Sequence, residues 1–212
     1  MARTGKTVGV VSASGPALCC GRTYLSAGKV DQAIKEMTRT TDAFRKALDA
    51  GKMIVGLEPS CTLMFRDEAV NLIPNWTAAH GAKILTFAEY IADHTPEGLK
   101  LPDAKVLVHG HCHQKSMGVA QHTVNAVNNI AGAEAEMIDS SCCGMAGAFG
   151  YQAETEDVSR QMAELSLAPA LRAASDDTII VADGFSCRCQ IKDVTTRQAA
   201  SLAVVIDRAW SK

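Results

Sequence analysis

The chain has 212 residues, 47% of them hydrophobic, enough to bury a substantial core in one generous domain or two compact halves. With 21 Lys and Arg against 23 Asp and Glu its formal net charge is -2, which excludes the basic footprint that draws nucleic acid or anionic lipid and favours small-molecule or protein partners. The apolar run near the start is too short for a signal peptide or a membrane span, so the sequence reads as cytoplasmic, and eight cysteines in a reducing compartment call for metal or redox chemistry rather than disulfides.

In chain order, residues 7–11 are rich in valine and predict a strand, followed by Cys19-Cys20-Gly21. A helix is expected over residues 29–50, where Val30, Ile34, Met37, Phe44 and Leu48 fall on one stripe and Gly51 supplies the stop. A strand at 53–57 leads into Ser60-Cys61. Another helix begins at Thr86, whose hydroxyl caps while Glu89 reaches back as the second member of a capping box. Pro96, Gly98 and Pro102 mark 93–103 as a linker, which divides the chain into halves at 1–100 and 101–212. The second half opens with a strand at 105–108 that runs into His109-Gly110-His111-Cys112-His113, and continues with a strand at 136–138 ahead of Cys142-Cys143-Gly144. A helical pattern over 155–174 carries Val158, Met162, Leu165 and Leu171, with Pro169 expected to kink or interrupt it. A strand at 178–182 precedes Ser186-Cys187, and a last helix over 194–210 closes the chain. Strands alternating with helices predict an α/β fold of Rossmann-like units on mainly parallel sheets.

The two halves are a repeat. MIVGLEPSCTLMFRD (53–67) lies without gaps over IIVADGFSCRCQIKD (179–193), and each segment follows a Cys-Cys-Gly, with 41 positions from Cys20 to Cys61 and 44 from Cys143 to Cys187. Cys112 precedes Cys142 by 30 positions, and counting back as far from Cys19 passes residue 1, so the first unit is expected to be truncated, without its strand and leading cysteine.

Ligands of open α/β sheets sit beyond the carboxyl ends of the strands. Cys112, the Cys142-Cys143 pair and Cys187 each follow a strand, so three loops can deliver four thiolates to one point. Iron-sulfur clusters and structural zinc both accept thiolates. Adjacent cysteines direct two sulfurs apart from one peptide, which suits different irons of a cluster better than one zinc ion, so an iron-sulfur cluster is the leading expectation and zinc the alternative. Cys19, Cys20 and Cys61 form a matching three-thiolate set that needs a donor from elsewhere, holds zinc with water or His, or is vestigial. Gly21 and Gly144 allow a positive φ that brings backbone N–H groups toward cluster sulfur, the plain alternative being a tight turn. His111 and His113, with His109, place imidazoles beside the cluster or a substrate, and Lys115 is a candidate partner for an anion. Cys189 aligns with Leu63 of the other copy and reads as an accessory thiol. Glu58 and Asp183 end their strands as candidate acids or bases, although solvated strand-end carboxylates are common. No nucleophile elbow, Walker loop or dinucleotide fingerprint is present.

These features resemble the cysteine-rich CCG domain family, found in a heterodisulfide reductase component, in glycolate oxidase iron-sulfur subunits and in lactate-utilisation proteins. GLEPSCTLMFRDE, VLVHGHCHQKSMG, IDSSCCGMAGAFGY and IVADGFSCRCQI are similar to the carboxy-terminal region of FAD-linked oxidases of D-2-hydroxy acids, the D-lactate dehydrogenase type. The resemblance implies a [4Fe-4S] cluster ligated by Cys112, Cys142, Cys143 and Cys187. It also implies electrons arriving from FAD on a partner or missing domain and leaving for an acceptor such as a quinone or cytochrome, in the cytoplasm or peripherally at the cytoplasmic membrane face. A ferredoxin motif and an FAD domain are both absent from the sequence, so catalysis by the chain alone is not expected. A heterodisulfide-reductase-like thiol/disulfide module and a zinc-stabilised partner-binding module are the competing readings.

Overall fold

The structure is a computed structural model and describes residues 5–210. The chain divides into two compact units, one running up to Gly56 and resuming over Cys61–Leu85, the other formed by Leu57–Ser60 and everything from Thr86 onward. The division thus falls ahead of the 93–103 segment that the sequence suggested. The reason is α6 (Phe87–Asp93), which buries Phe87, Ala88 and Ile91 and packs on helices of the second unit.

The first unit is built on α2 (Val30–Asp49), preceded by the short α1 (Arg22–Ser26). Met37 and Leu48 are buried and Ile34 and Phe44 partly so, whereas Val30, at the first turn, is exposed. Against this face lie β1 (Ile54–Gly56), α3 (Pro59–Met64), α4 (Glu68–Leu72) and β2 (Ile84–Thr86), β1 and β2 pairing as a two-stranded sheet, while α5 (Ala78–Gly81) sets Gly81 against the Phe65 and Arg66 backbone. Phe44, Phe65 and Trp76 close the core edge to face, Phe44 and Phe65 at 4.8 Å, and the Trp76 indole N–H donates to the Phe65 carbonyl at 2.7 Å. Residues 7–11 are not a strand. Val8 and Val10 are 54% and 93% exposed, and β-branched residues without a neighbouring strand have nothing to pair with.

In the second unit β3 (Lys100–Val108), β4 (Ala131–Met137), β5 (Ile179–Val181) and β6 (Ala199–Ala200) form one parallel sheet in the order β4-β3-β5-β6. The register sets Val108 beside both Met137 and Val181, so three strands end at the same level. The helices are α7 (Cys112–Ser116), α8 (Gln121–Asn128), α9 (Glu156–Glu164), α10 (Leu167–Ala173), α11 (Phe185–Val194) and α12 (Leu202–Trp210). The expected 155–174 helix breaks at Leu165 and Ser166, because Pro169 in helical register would clash with the Leu165 carbonyl; as the third residue of α10 it is tolerated. The expected 194–210 helix is shorter. Asp183 Oδ1 accepts from Leu202 N–H at 2.9 Å and starts α12 there, while Arg197 donates to the carbonyls of Leu171, Ala174, Ser175 and Thr178 and holds the preceding loop.

Candidate metal centre

Three strands of the second unit, β3, β4 and β5, each lead into a loop or turn that carries donor atoms. After β3, His109 N–H donates to the Val181 carbonyl at 2.8 Å, which carries the strand pairing one residue further and sends the His109 ring into the interior at 1% exposure. The chain then turns into α7, capped by His111: its Nδ1 accepts from His113 N–H at 3.2 Å while Gln114 Oε1 accepts from His111 N–H at 3.1 Å. Cys112 is therefore the first residue of a helix whose start is locked on both sides. After β4, Ile138 N–H donates to Val108 O, and the loop delivers Cys142 and Cys143. Gly144 ends that loop at φ 96°, its N–H donating to Cys142 Sγ at 3.3 Å. A methyl group there would run into the Ser159 carbonyl of α9, which also accepts from Gln190 at 3.1 Å. After β5, Gly184 leads into α11 and Cys187 sits in its first turn.

These loops place the Cys112, Cys142, Cys143 and Cys187 sulfurs in a row of thiol contacts, Cys112 with Cys142, Cys142 with Cys143, and Cys143 with Cys187. Donor atoms of His109, Cys143 and Cys187 all lie within 4.8 Å of one another, and all three residues are buried. The crowding shows in the acidities. Cys142 is pulled well below the ordinary thiol range by the bond from Cys112, and Cys187 by the bond from Cys143; Cys112 and Cys143 are pushed up by the same bonds and by burial. Four sulfurs this close in a poorly solvated interior cannot all carry charge unless a cation sits among them. The donor set fits a metal centre, and His109, whose Nε2 is buried without a hydrogen-bond partner, belongs to the same group of donors.

The surrounding residues have structural roles as well. The His111 ring stacks on His113 at 5.1 Å, and burial, reinforced by the charge of His113, holds His111 down near about 4. Gly184 is required by contact, since a methyl group there would meet the His111 ring and stand 3.0 Å from Cys187 Sγ. Lys115, read from sequence as an anion partner, instead donates to the Ser140 and Ser141 carbonyls and pins the Cys142 loop. Asp183 is not a solvated carboxylate; it is buried, accepts from Leu202 N–H and is pushed up by desolvation. Glu58 takes hydrogen bonds from Ser60 at 2.9 Å and from Phe185 N–H at the start of α11 at 2.9 Å. Cys189, half-buried, packs on the core and contacts Tyr151 rather than joining the row of sulfurs.

The first unit differs. Cys20 and Cys61 sulfurs lie 2.9 Å apart, and their bond, with the charge of Arg22, holds Cys20 near about 7 despite burial. Cys19 Sγ is turned back to accept from Gly21 N–H at 3.4 Å, with Gly21 at φ 81° against Ala33. Among the described residues these three sulfurs do not converge as the donors of the second unit do. His109, Ser140 and Gly184 are the residues around the centre that cysteine spacing alone underplays. His109 is signalled by its place directly after a buried strand, while Ser140 and Gly184 carry no signal short of the fold.

No helix among the described residues is long and apolar enough to cross a membrane. The family model for the CCG cysteine-rich domain matches residues 4–66 and 106–192, covering both copies of the repeat. The chain is 28% identical over 185 residues to a subunit of the anaerobic glycerol-3-phosphate dehydrogenase of Escherichia coli K12, covering 84% of this chain and 46% of that protein. It is also 28% identical over 165 residues to D-2-hydroxyglutarate dehydrogenase of Pseudomonas putida KT2440 and 26% over 170 residues to that of E. coli K12, in each case covering 16% of the relative and 77% and 79% of this chain. The chain thus spans under half the length of one curated relative and about a sixth of the others. No solved structure matches it. With a donor-bearing loop at the end of each of three parallel strands and a family match over both copies, the chain belongs to the CCG family of cysteine-rich domains.

Proposed function

We propose that the second unit holds a [4Fe-4S] cluster through Cys112, Cys142, Cys143 and Cys187 and that the chain is the electron-relay part of a flavin-dependent dehydrogenase of D-2-hydroxy acids or a similar small alcohol substrate. The observation that carries this reading is the row of four sulfurs, each interacting with the next, two of them on adjacent residues. Such a cluster supplies one-electron transfer, which a flavin reduced by two electrons needs in order to pass them on singly. The residues of this chain hold and insulate that centre. Gly144 N–H donates to Cys142 Sγ, the core around Cys143 and Cys187 keeps water away, and Lys115 holds the Cys142 loop closed. The names of the relatives, a dehydrogenase subunit and dehydrogenases of a D-2-hydroxy acid, support a place in an oxidoreductase; in this reading FAD is carried by a partner or another domain. The acceptor is then a quinone, a cytochrome or a further carrier, and the setting is cytoplasmic. The first-unit trio of Cys19, Cys20 and Cys61 completes a second centre only with a donor from outside these residues.

A zinc centre is the second reading, favoured by one observation, the mixed set of His109, Cys143 and Cys187. Anaerobic reconstitution with iron and sulfide separates the two. The expected product is brown, contains iron and acid-labile sulfide in equal amounts and gives an EPR signal on reduction; Cys143→Ser loses it and Cys189→Ser keeps it. A colourless protein with one tightly held zinc would sink the electron-relay reading.

A further inference from the structure

His109 has two nitrogens in different circumstances. Nδ1 lies 3.0 Å from Ser140 Oγ, whereas Nε2 is buried with no hydrogen-bond partner; one ring nitrogen lies within 4.8 Å of the Cys143 and Cys187 sulfurs, and Nε2 is the one left free to face them. Lys115 Nζ donates to the Ser140 carbonyl and lies 3.4 Å from Ser140 Oγ. An ammonium is a donor only, so Ser140 Oγ accepts from Lys115 and keeps its own O–H available for Nδ1. Thiolate sulfurs can only accept, so the tautomer that suits them carries its proton on Nε2, with Nδ1 accepting from Ser140 O–H. The ring cannot swing away, because His109 N–H is tied to Val181 O at 2.8 Å and the residue is 1% exposed.

Resting on the cluster reading above, we propose that His109 is a positioning residue of the centre: Nε2–H donates a hydrogen bond to the Cys187 or Cys143 sulfur and raises the reduction potential, with Ser140 and Lys115 fixing the tautomer. The physical reason is that reduction adds negative charge to the cluster and its thiolates, and a donor aimed at that charge favours the reduced form. The imidazole does not ligate iron here, since four thiolates already supply one ligand for each.

The test is an EPR-monitored redox titration of the reconstituted full chain, with iron and sulfide assayed on each sample. His109→Phe is expected to keep its iron and sulfide while its midpoint moves to more negative potential. His109→Gln, whose amide N–H reaches a similar place, recovers most of the shift. Ser140→Ala, which leaves the ring in position, moves the midpoint the same way by a smaller amount. Unchanged midpoints in His109→Phe and Ser140→Ala overturn the proposal. Loss of iron in His109→Phe that Gln does not restore, with Ser140→Ala unchanged, overturns it in favour of ligation. A wild-type chain that takes up zinc and no cluster defeats the underlying reading instead, and that outcome is read on the wild type alone, ahead of the variants.

Discussion

A methyl group added at Gly184 would press on the His111 ring and stand 3.0 Å from Cys187 Sγ, although the backbone there, at φ -67°, suits any residue. The glycine is therefore held by the space it leaves for the metal centre rather than by conformation, in contrast to Gly144 at φ 96°. Gly184→Ala should leave a folded chain, with a stability loss of about 1–3 kcal/mol from overpacking. Its iron content after reconstitution should fall well below that of the wild type, because the ring and the ligand must part to admit the methyl. Iron assay beside urea unfolding separates the two effects; full iron retention would show that the ring yields freely.

At the scale of elements, α6 shows how local chemistry fixes a boundary. Thr86 N–H donates to Glu89 Oε2 at 2.9 Å and Thr86 Oγ1 accepts from Glu89 N–H at 3.2 Å, a reciprocal cap that is legible in the spacing of the two residues. Thr86→Ala should cost about 1 kcal/mol, read as a shift in the denaturant midpoint with no change in iron content. Other boundaries are not legible, for reasons that lie outside the segment concerned. The start of α12 is set by Asp183, nineteen positions away, through its bond to Leu202 N–H. The valines of residues 7–11 have the composition of a strand and no strand to join, since pairing is a property of neighbours. Pro169 announces a break, yet whether it kinks one helix or begins another depends on Leu165 and Ser166, where the register is free to shift.

At the scale of the whole chain, four of the proposed donors are legible in the sequence itself, because a strand end is where an α/β unit presents ligands and Cys112, Cys142, Cys143 and Cys187 all follow strands. The repeat is silent on His109, whose importance rests on a buried, unpartnered nitrogen, and on the way Cys19 turns back to its own Gly21. The two units also predict unequal stoichiometry. A chain with Cys19, Cys20 and Cys61 all changed to Ser should reconstitute to the same iron and sulfide content as the wild type, whereas the single change Cys112→Ser should remove most of both; iron lost in proportion from both proteins would show that each unit carries a centre. Within the second unit the donors themselves are graded. Cys143 and Cys187 are 3% and 1% exposed, while Cys112 and Cys142 are only half-buried. That gradient would give a cluster held there a front and a back: on the proposed reading, the doorway that offers a redox partner its shortest approach is also the one open to dioxygen, so conductivity and fragility rest on the same pair of sulfurs.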